Sequence, residues 1–125
     1  MDPLLAPMAD SDHHQVGGVD SDVFQVGDAR VKRVLYPPGF RWSSHIKPVV
    51  GTDTCGHTHV GFLVRGHLAG AYTDGCTFDF DTPSAVLIEA GHDGWVVGEE
   101  PAVLIEFDYG ADTATRLGLP SGHQH

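Results

Sequence analysis

No stretch of this chain sustains a helical apolar repeat beyond two turns, and that constrains the fold more than any motif does. In its place stand short runs rich in branched and aromatic residues, each broken by Gly, Pro or Asp. They cover residues 23–26, 29–36, 40–47, 57–65, 68–72, 77–80, 85–88, 94–97 and 102–108, and every one reads as a strand. Asp74-Gly75, between Tyr72 and Thr77, predicts a tight hairpin whose favoured turn holds both central residues at positive φ. Pro37-Pro38-Gly39 and Thr82-Pro83-Ser84 lack the backbone donors that pairing needs, so they interrupt it. Many short strands with closely spaced turns mean a β-sandwich or a small barrel.

At 125 residues the chain is long enough for one core and too short for two. Residues 1–21 are poor in aromatic and branched side chains and carry Asp10, Asp12, Asp20 and the His13-His14 pair, the composition of a mobile N-terminal arm. The expected barrel spans 22–110. A C-terminal tail, 111–125, has room for one or two helical turns over 111–117 and a loose end at His123-Gln124-His125.

Seven Lys and Arg against 17 Asp and Glu give a net charge of −10, with no cationic cluster to neutralise phosphates. That excludes nucleic acid as a partner and disfavours anionic membrane surfaces. No apolar run has the length of a membrane span, and the first residues lack the pattern of a signal peptide. Cys55 and Cys76 are too few for a disulfide framework. The expectation is a cytoplasmic protein with free thiols. Gly61-x4-Gly66 runs into His67-Leu68 and is no phosphate loop; Ser43 and Ser44 lack a nucleophile elbow; no dinucleotide fingerprint occurs.

The chemistry-bearing residues concentrate in two places. His45, Cys55, His57 and His59 fall between Trp42 and Gly66, and His92 sits in Gly91-His92-Asp93. Residues two apart share one face of a strand, so Cys55, His57 and His59 point the same way, and two imidazoles about 7 Å apart can reach one ion. A chain with nine histidines also shows such spacing by chance, as His123-x-His125 does. Cys55 reads equally as a ligand, a reactive thiol or a small core residue. Asp93 and Glu106 are candidates for a general base or a hydrogen-bond acceptor, against the reading of solvated or paired acids. Trp42 and Trp95 read as core residues able to line a pocket, and His67 as an exposed residue at the rim.

Several words are more specific than the spacing. Gly51-x5-His57-x-His59, the strand ending Phe62-Leu63-Val64-Arg65-Gly66, Trp42-Ser43-Ser44-His45-x-Lys47-Pro48 and Gly91-His92-Asp93-Gly94-Trp95-Val96-Val97-Gly98 resemble a small single-domain bacterial cupin, over about residues 31–109. The resemblance implies an all-β fold, a cupin-type double-stranded β-helix or jelly-roll barrel, usually paired as a homodimer. Both metal motifs depart from the family pattern. No glutamate follows His59, and anchoring on Gly66 instead puts His59 at the glutamate place and Asp53 and Cys55 at the histidine places. In the second motif His92 stands two positions early and Gly94 takes the usual histidine place, though both share strand parity. The resemblance implies His45, His59 and His92 as ligands, with His57 or Cys55 as a fourth.

A histidine-rich site without a ligand carboxylate suits one divalent transition metal, zinc first, with iron or nickel as alternatives, better than magnesium or calcium. The expected function is a metal-dependent, non-redox isomerase, epimerase or cyclase that enolises a small carbonyl substrate of natural-product type metabolism. Two alternatives remain: a cupin dioxygenase, and a non-catalytic cupin that binds a ligand or a metal.

Overall fold

The computed structural model describes residues 2–120, 122 and 123. Its nine strands are β1 (Asp12–Val16), β2 (Val19–Val26), β3 (Ala29–Tyr36), β4 (His59–Arg65), β5 (His67–Tyr72), β6 (Thr77–Asp81), β7 (Ser84–Ile88), β8 (His92–Val96) and β9 (Ala102–Asp108). Two antiparallel sheets result, one ordered β1-β2-β3-β9-β4-β7 and the other β6-β5-β8. Among the described residues a 3-10 turn over Pro3–Leu5 and three one-turn α-helices complete the fold: α1 (Trp42–His45), α2 (Lys47–Val50) and α3 (Thr113–Arg116). Among the described residues, no helix is long and apolar enough to cross a membrane.

Strand alternation places the core between the sheets. Leu63 of β4 pairs with Leu104 of β9, and both are buried among Phe40, Trp42, Leu68 and Val86. Removing each such side chain from water contributes about 1.5–3 kcal/mol. The same inward face of β9 carries Glu106 and Asp108, both buried, while Phe107 faces outward and is exposed. Gly61 stands opposite Glu106. A Cβ there would lie 2.0 Å from the Ile105 carbonyl oxygen, so any larger residue would force β4 off β9.

Four expectations change. The run 40–47 is not a strand. Only Phe40 and Arg41 pair with β8, through the Arg41–Trp95 bridge and Val96 N–H donating to Phe40 O at 3.0 Å. The chain then coils, because Ser43 N–H at the start of α1 donates to Asp93 Oδ1 at 3.0 Å, Pro48 opens α2, and Gly51 (φ 78°) ends it.

Second, the sheet begins earlier than an arm over 1–21 allows, since β1 and the start of β2 are paired from Asp12 onward. Buried Asp22 holds this segment. It accepts from Met8 N–H at 3.0 Å, His13 Nδ1 at 2.6 Å and Arg33 Nε at 2.8 Å. Burial pushes the Asp22 carboxyl up, but these donors outweigh it and hold the group below its usual range.

Third, only Gly75 of the Asp74-Gly75 turn has positive φ (91°). Gly75 N–H donates to Tyr72 O at 3.0 Å and Tyr72 N–H to Cys76 O at 2.8 Å, which closes a three-residue loop instead of a two-residue one. Fourth, His123 is not loose. Its ring stacks on Tyr72 at 3.8 Å and its N–H donates to Ala90 O at 3.2 Å. Gln124 and His125, the rest of that expected loose end, lie outside the described residues.

Candidate metal centre

A cavity of about 250 Å³ opens between the two sheets. Tyr36, Phe40, Trp42, Phe78 and Leu104 form its apolar wall. Its polar end gathers Lys32, Cys55, His57, His59, His92 and Glu106 from β3, β4, β8, β9 and the loop before β4.

Three of these converge on one point. Cys55, His59 and His92 each offer a ligand atom, and the three atoms lie within 4.8 Å of one another. Cys55 is held there by backbone bonds, its N–H donating to His92 O at 2.8 Å and its carbonyl accepting from Gly91 N–H at 2.8 Å. His59, the first residue of β4, turns Nε2 to Cys55 Sγ at 3.7 Å and Nδ1 to Glu106 Oε1 in a short hydrogen bond. His92 donates Nδ1–H to Glu89 O at 2.7 Å, which leaves Nε2 as its ligand atom. The rings of His59 and His92 lie 5.2 Å apart.

Charge follows from this packing. Burial raises the Cys55 thiol, but the His59 and His92 imidazoles outweigh it and bring the pKa down to about 6. Burial disfavours charge on His59 too, yet the Glu106 carboxylate and the Cys55 sulfur raise it to about 10. Glu106 itself is pushed up by burial and pulled further down by His59 and Lys32, so it stays ionised. Without a metal the site is therefore a thiolate–imidazolium–carboxylate chain.

His57 differs. Burial, with the charges of His59 and Lys32, lowers its pKa to about 4, so it is neutral near pH 7. Its Nε2 is buried and makes no hydrogen bond, although Asp108 Oδ2 lies 3.3 Å away, out of line for one. His57, His59 and Glu106 form a second donor set that overlaps the first. Asp108 is raised by burial but held at about 2 by Arg30, Gly110 and Lys32.

The donors fit a divalent transition metal. Sulfur with two imidazole nitrogens is a zinc-type set with room for an open fourth position. Both imidazoles have Nδ1 tied to an oxygen acceptor, the arrangement that orients a ligating histidine.

The structure therefore brings together His57, His59 and His92 from the predicted ligands, with Cys55 and Glu106 from the predicted catalytic candidates. It does not bring in His45. That residue is exposed on α1, accepts from Arg41 N–H at 3.1 Å and stacks on Phe40 at 5.7 Å. The helical turn at 42–45 in place of a strand carries it away from the cavity. Asp93 is also a correction, for it caps α1 through Ser43 N–H and pairs with Arg41 at 3.4 Å. Trp42 and Trp95 both line the cavity. His67 pairs with Asp79 at 2.6 Å. Lys32, Tyr36 and Asp108 were not singled out from the sequence. Their signal was strand parity, since Glu106 and Asp108 share the apolar face of β9 with Leu104, where an acid needs a partner.

No protein-family profile matches the chain, and no curated protein matches it significantly. Solved structures do. A Cupin 2 conserved barrel domain protein from Salinispora arenicola matches with a TM-score of 0.54 at 13% identity, over 90% of this chain and 93% of its own. The oxalate decarboxylase of Lactobacillus farciminis, solved as a formate complex, matches with a TM-score of 0.54 at 18% identity; 78% of this chain is covered, but only 30% of that one. Protein NMB1881 from Neisseria meningitidis matches with a TM-score of 0.50 at 13% identity, over 80% of this chain and 87% of its own. At these identities the likeness speaks to fold.

Proposed function

On a small cupin-type β fold with imidazole, thiol and carboxylate groups gathered at one end of its cavity, we propose a metal-dependent enzyme that moves a proton on a small carbonyl compound, as an isomerase, epimerase or cyclase. The observation that carries this reading is the pairing of His59 Nδ1 with Glu106 and of His92 Nδ1 with Glu89 O, which aims both remaining nitrogens at Cys55. Cys55, His59 and His92 would hold the ion, zinc first, with His57 beside them. A bound divalent ion there supplies Lewis acidity that polarises a carbonyl oxygen.

The chain's own groups do the rest. Glu106 fixes the His59 tautomer and balances its charge. The apolar wall of Tyr36, Phe40 and Trp42 excludes water from the reacting carbon. His57, neutral near pH 7, is the proton acceptor. Nδ1 of His57 takes the proton from the carbon beside the carbonyl, the bonding pair passes toward the carbonyl oxygen, and the Asp108 carboxylate stands 3.3 Å from Nε2. Asp108 then balances the imidazolium until the proton returns. The test is exchange of substrate α-hydrogen for solvent deuterium across a panel of 2-oxo acids and β-dicarbonyls. Exchange that needs added metal and disappears in His57→Gln supports the proposal, and no metal-dependent exchange across the panel overturns it.

A second reading, a dioxygenase, is favoured by the His57, His59 and Glu106 set, two histidines and a carboxylate as in non-haem iron sites. It ranks lower because Glu106 is already engaged by His59 Nδ1. Oxygen consumption by iron-loaded protein with thiols or diketones would promote it.

A further inference from the structure

Tyr72 touches two donor sets. On one side its ring meets His92, a cavity residue, edge to face with centroids 6.2 Å apart; on the other the His123 ring stacks on it at 3.8 Å. There, Asp74 and Cys76 from the β5–β6 turn meet His123, and one ligand atom from each lies within 4.8 Å of the other two. Asp74 Oδ2 is 3.4 Å from His123 Nε2.

Each donor is oriented by a neighbour. Glu89 Oε2 accepts from His123 Nδ1 at 3.1 Å, which leaves Nε2 facing Asp74. The Tyr72 ring holds the imidazole plane. Asp74 Oδ1 accepts from Cys76 N–H at 2.9 Å, which fixes the carboxylate next to the sulfur. A carboxylate backing a histidine whose other nitrogen faces a thiol and a second carboxylate is the arrangement that surrounds transition-metal ligands. One sulfur, one nitrogen and one oxygen suit zinc, with water in the fourth place.

We propose that Asp74, Cys76 and His123 form a second metal site, for a divalent transition ion, that fastens the C-terminal segment onto the β5–β6 turn. It uses the thiol that the cavity does not use, so it stands or falls independently of the proposed reaction.

The probe is cobalt(II), titrated into the Cys55→Ser protein, in which Cys76 is the remaining thiol. A near-ultraviolet thiolate-to-cobalt band is expected, absent in Cys55→Ser/Cys76→Ser. On the same background His123→Ala should weaken cobalt binding at least about tenfold and Glu89→Gln about 10–100-fold. Zinc should also slow amide exchange around Gly122 in the wild-type chain and leave it unchanged in Cys76→Ser. No band in Cys55→Ser, or a band indifferent to His123→Ala, overturns the site. Should Cys55→Ser fail to fold, cadmium-113 spectra of the unmutated protein decide. A resonance lost in Cys76→Ser supports the site, and spectra unchanged by that substitution overturn it.

Discussion

Cys55 and Cys76 are the same chemical group, and their surroundings push them in opposite directions. Both are partly buried, and burial alone raises a thiol. At Cys55 two imidazoles overturn that effect and bring the pKa to about 6. At Cys76 the Asp74 carboxylate adds to it, and the thiol stays above its ordinary value. The sign is thus set by the charge of the nearest partner, not by depth. Cys55 lies among groups that keep it an anion with no metal present, and Cys76 must release its proton to solvent as a metal binds.

The widest gap between the two regions is expected from His59→Ala. It removes a ligand and the partner of Glu106, and should cost the cavity site about 100-fold or more in zinc affinity by calorimetry, with binding at Cys76 unaltered. Equal losses at both places would erase the distinction. Glu106→Gln keeps the ligands and removes the charge behind His59, so a smaller loss, about 10–100-fold, is expected in the same experiment.

Alkylation separates the thiols directly. In metal-free protein at neutral pH, Cys55 should react about tenfold faster than Cys76 by peptide mass spectrometry, thiolate fraction outweighing the lower nucleophilicity of a more acidic thiol. Its rate should rise with pH to a midpoint at about 6, and the midpoint should climb toward the ordinary thiol value in His59→Ala. Equal rates would mean that the imidazoles do not govern the sulfur.

Linkage gives the opposite sign for the histidine. The folded pKa of His59 is raised from 6.5 to about 10, so its contribution to stability is complete below the unfolded value and lost as pH rises through the folded one. Cys55, lowered to about 6, contributes the opposite slope over most of that range. The histidine's loss is therefore read in Cys55→Ser, where the urea midpoint of metal-free protein should fall as pH climbs above 6.5 and fall less when Glu106→Gln is added. The smallest effect belongs to His45→Ala. An exposed residue outside the cavity should change stability by no more than about 0.5 kcal/mol and leave zinc binding untouched.

Much of the fold was legible because local pattern and tertiary pairing agree. β3 and β9 run over the residues expected for them, 29–36 and 102–108, where branched side chains alternate and nothing competes. The run 40–47 misled because its apolar residues sit as well on a helical turn as on a strand, and Asp93, distant in sequence, supplies the cap that decides. The candidate site was half legible. The cupin resemblance implied His59, by anchoring on Gly66, and His92, by its parity with Gly94, and it offered Cys55 as a possible fourth ligand. Strand parity does not place Cys55, because β4 begins only at His59 and parity at residues 55 and 57 has no strand to act on. A backbone bridge to His92 brings the sulfur in instead.

The amino-acid order by itself determined an all-β chain, the inward face of its central strands, and a concentration of soft metal donors in two segments. These are local properties, set by side-chain shape, strand period and turn chemistry. Which donors meet was decided only when the sheets packed, since a ligand set depends on ångström-scale separations between residues such as Cys55, His59, His92 and Glu106 on different elements. A one-residue change of register or a helical turn in place of a strand moves a side chain by more than such a site tolerates, as His45 demonstrates.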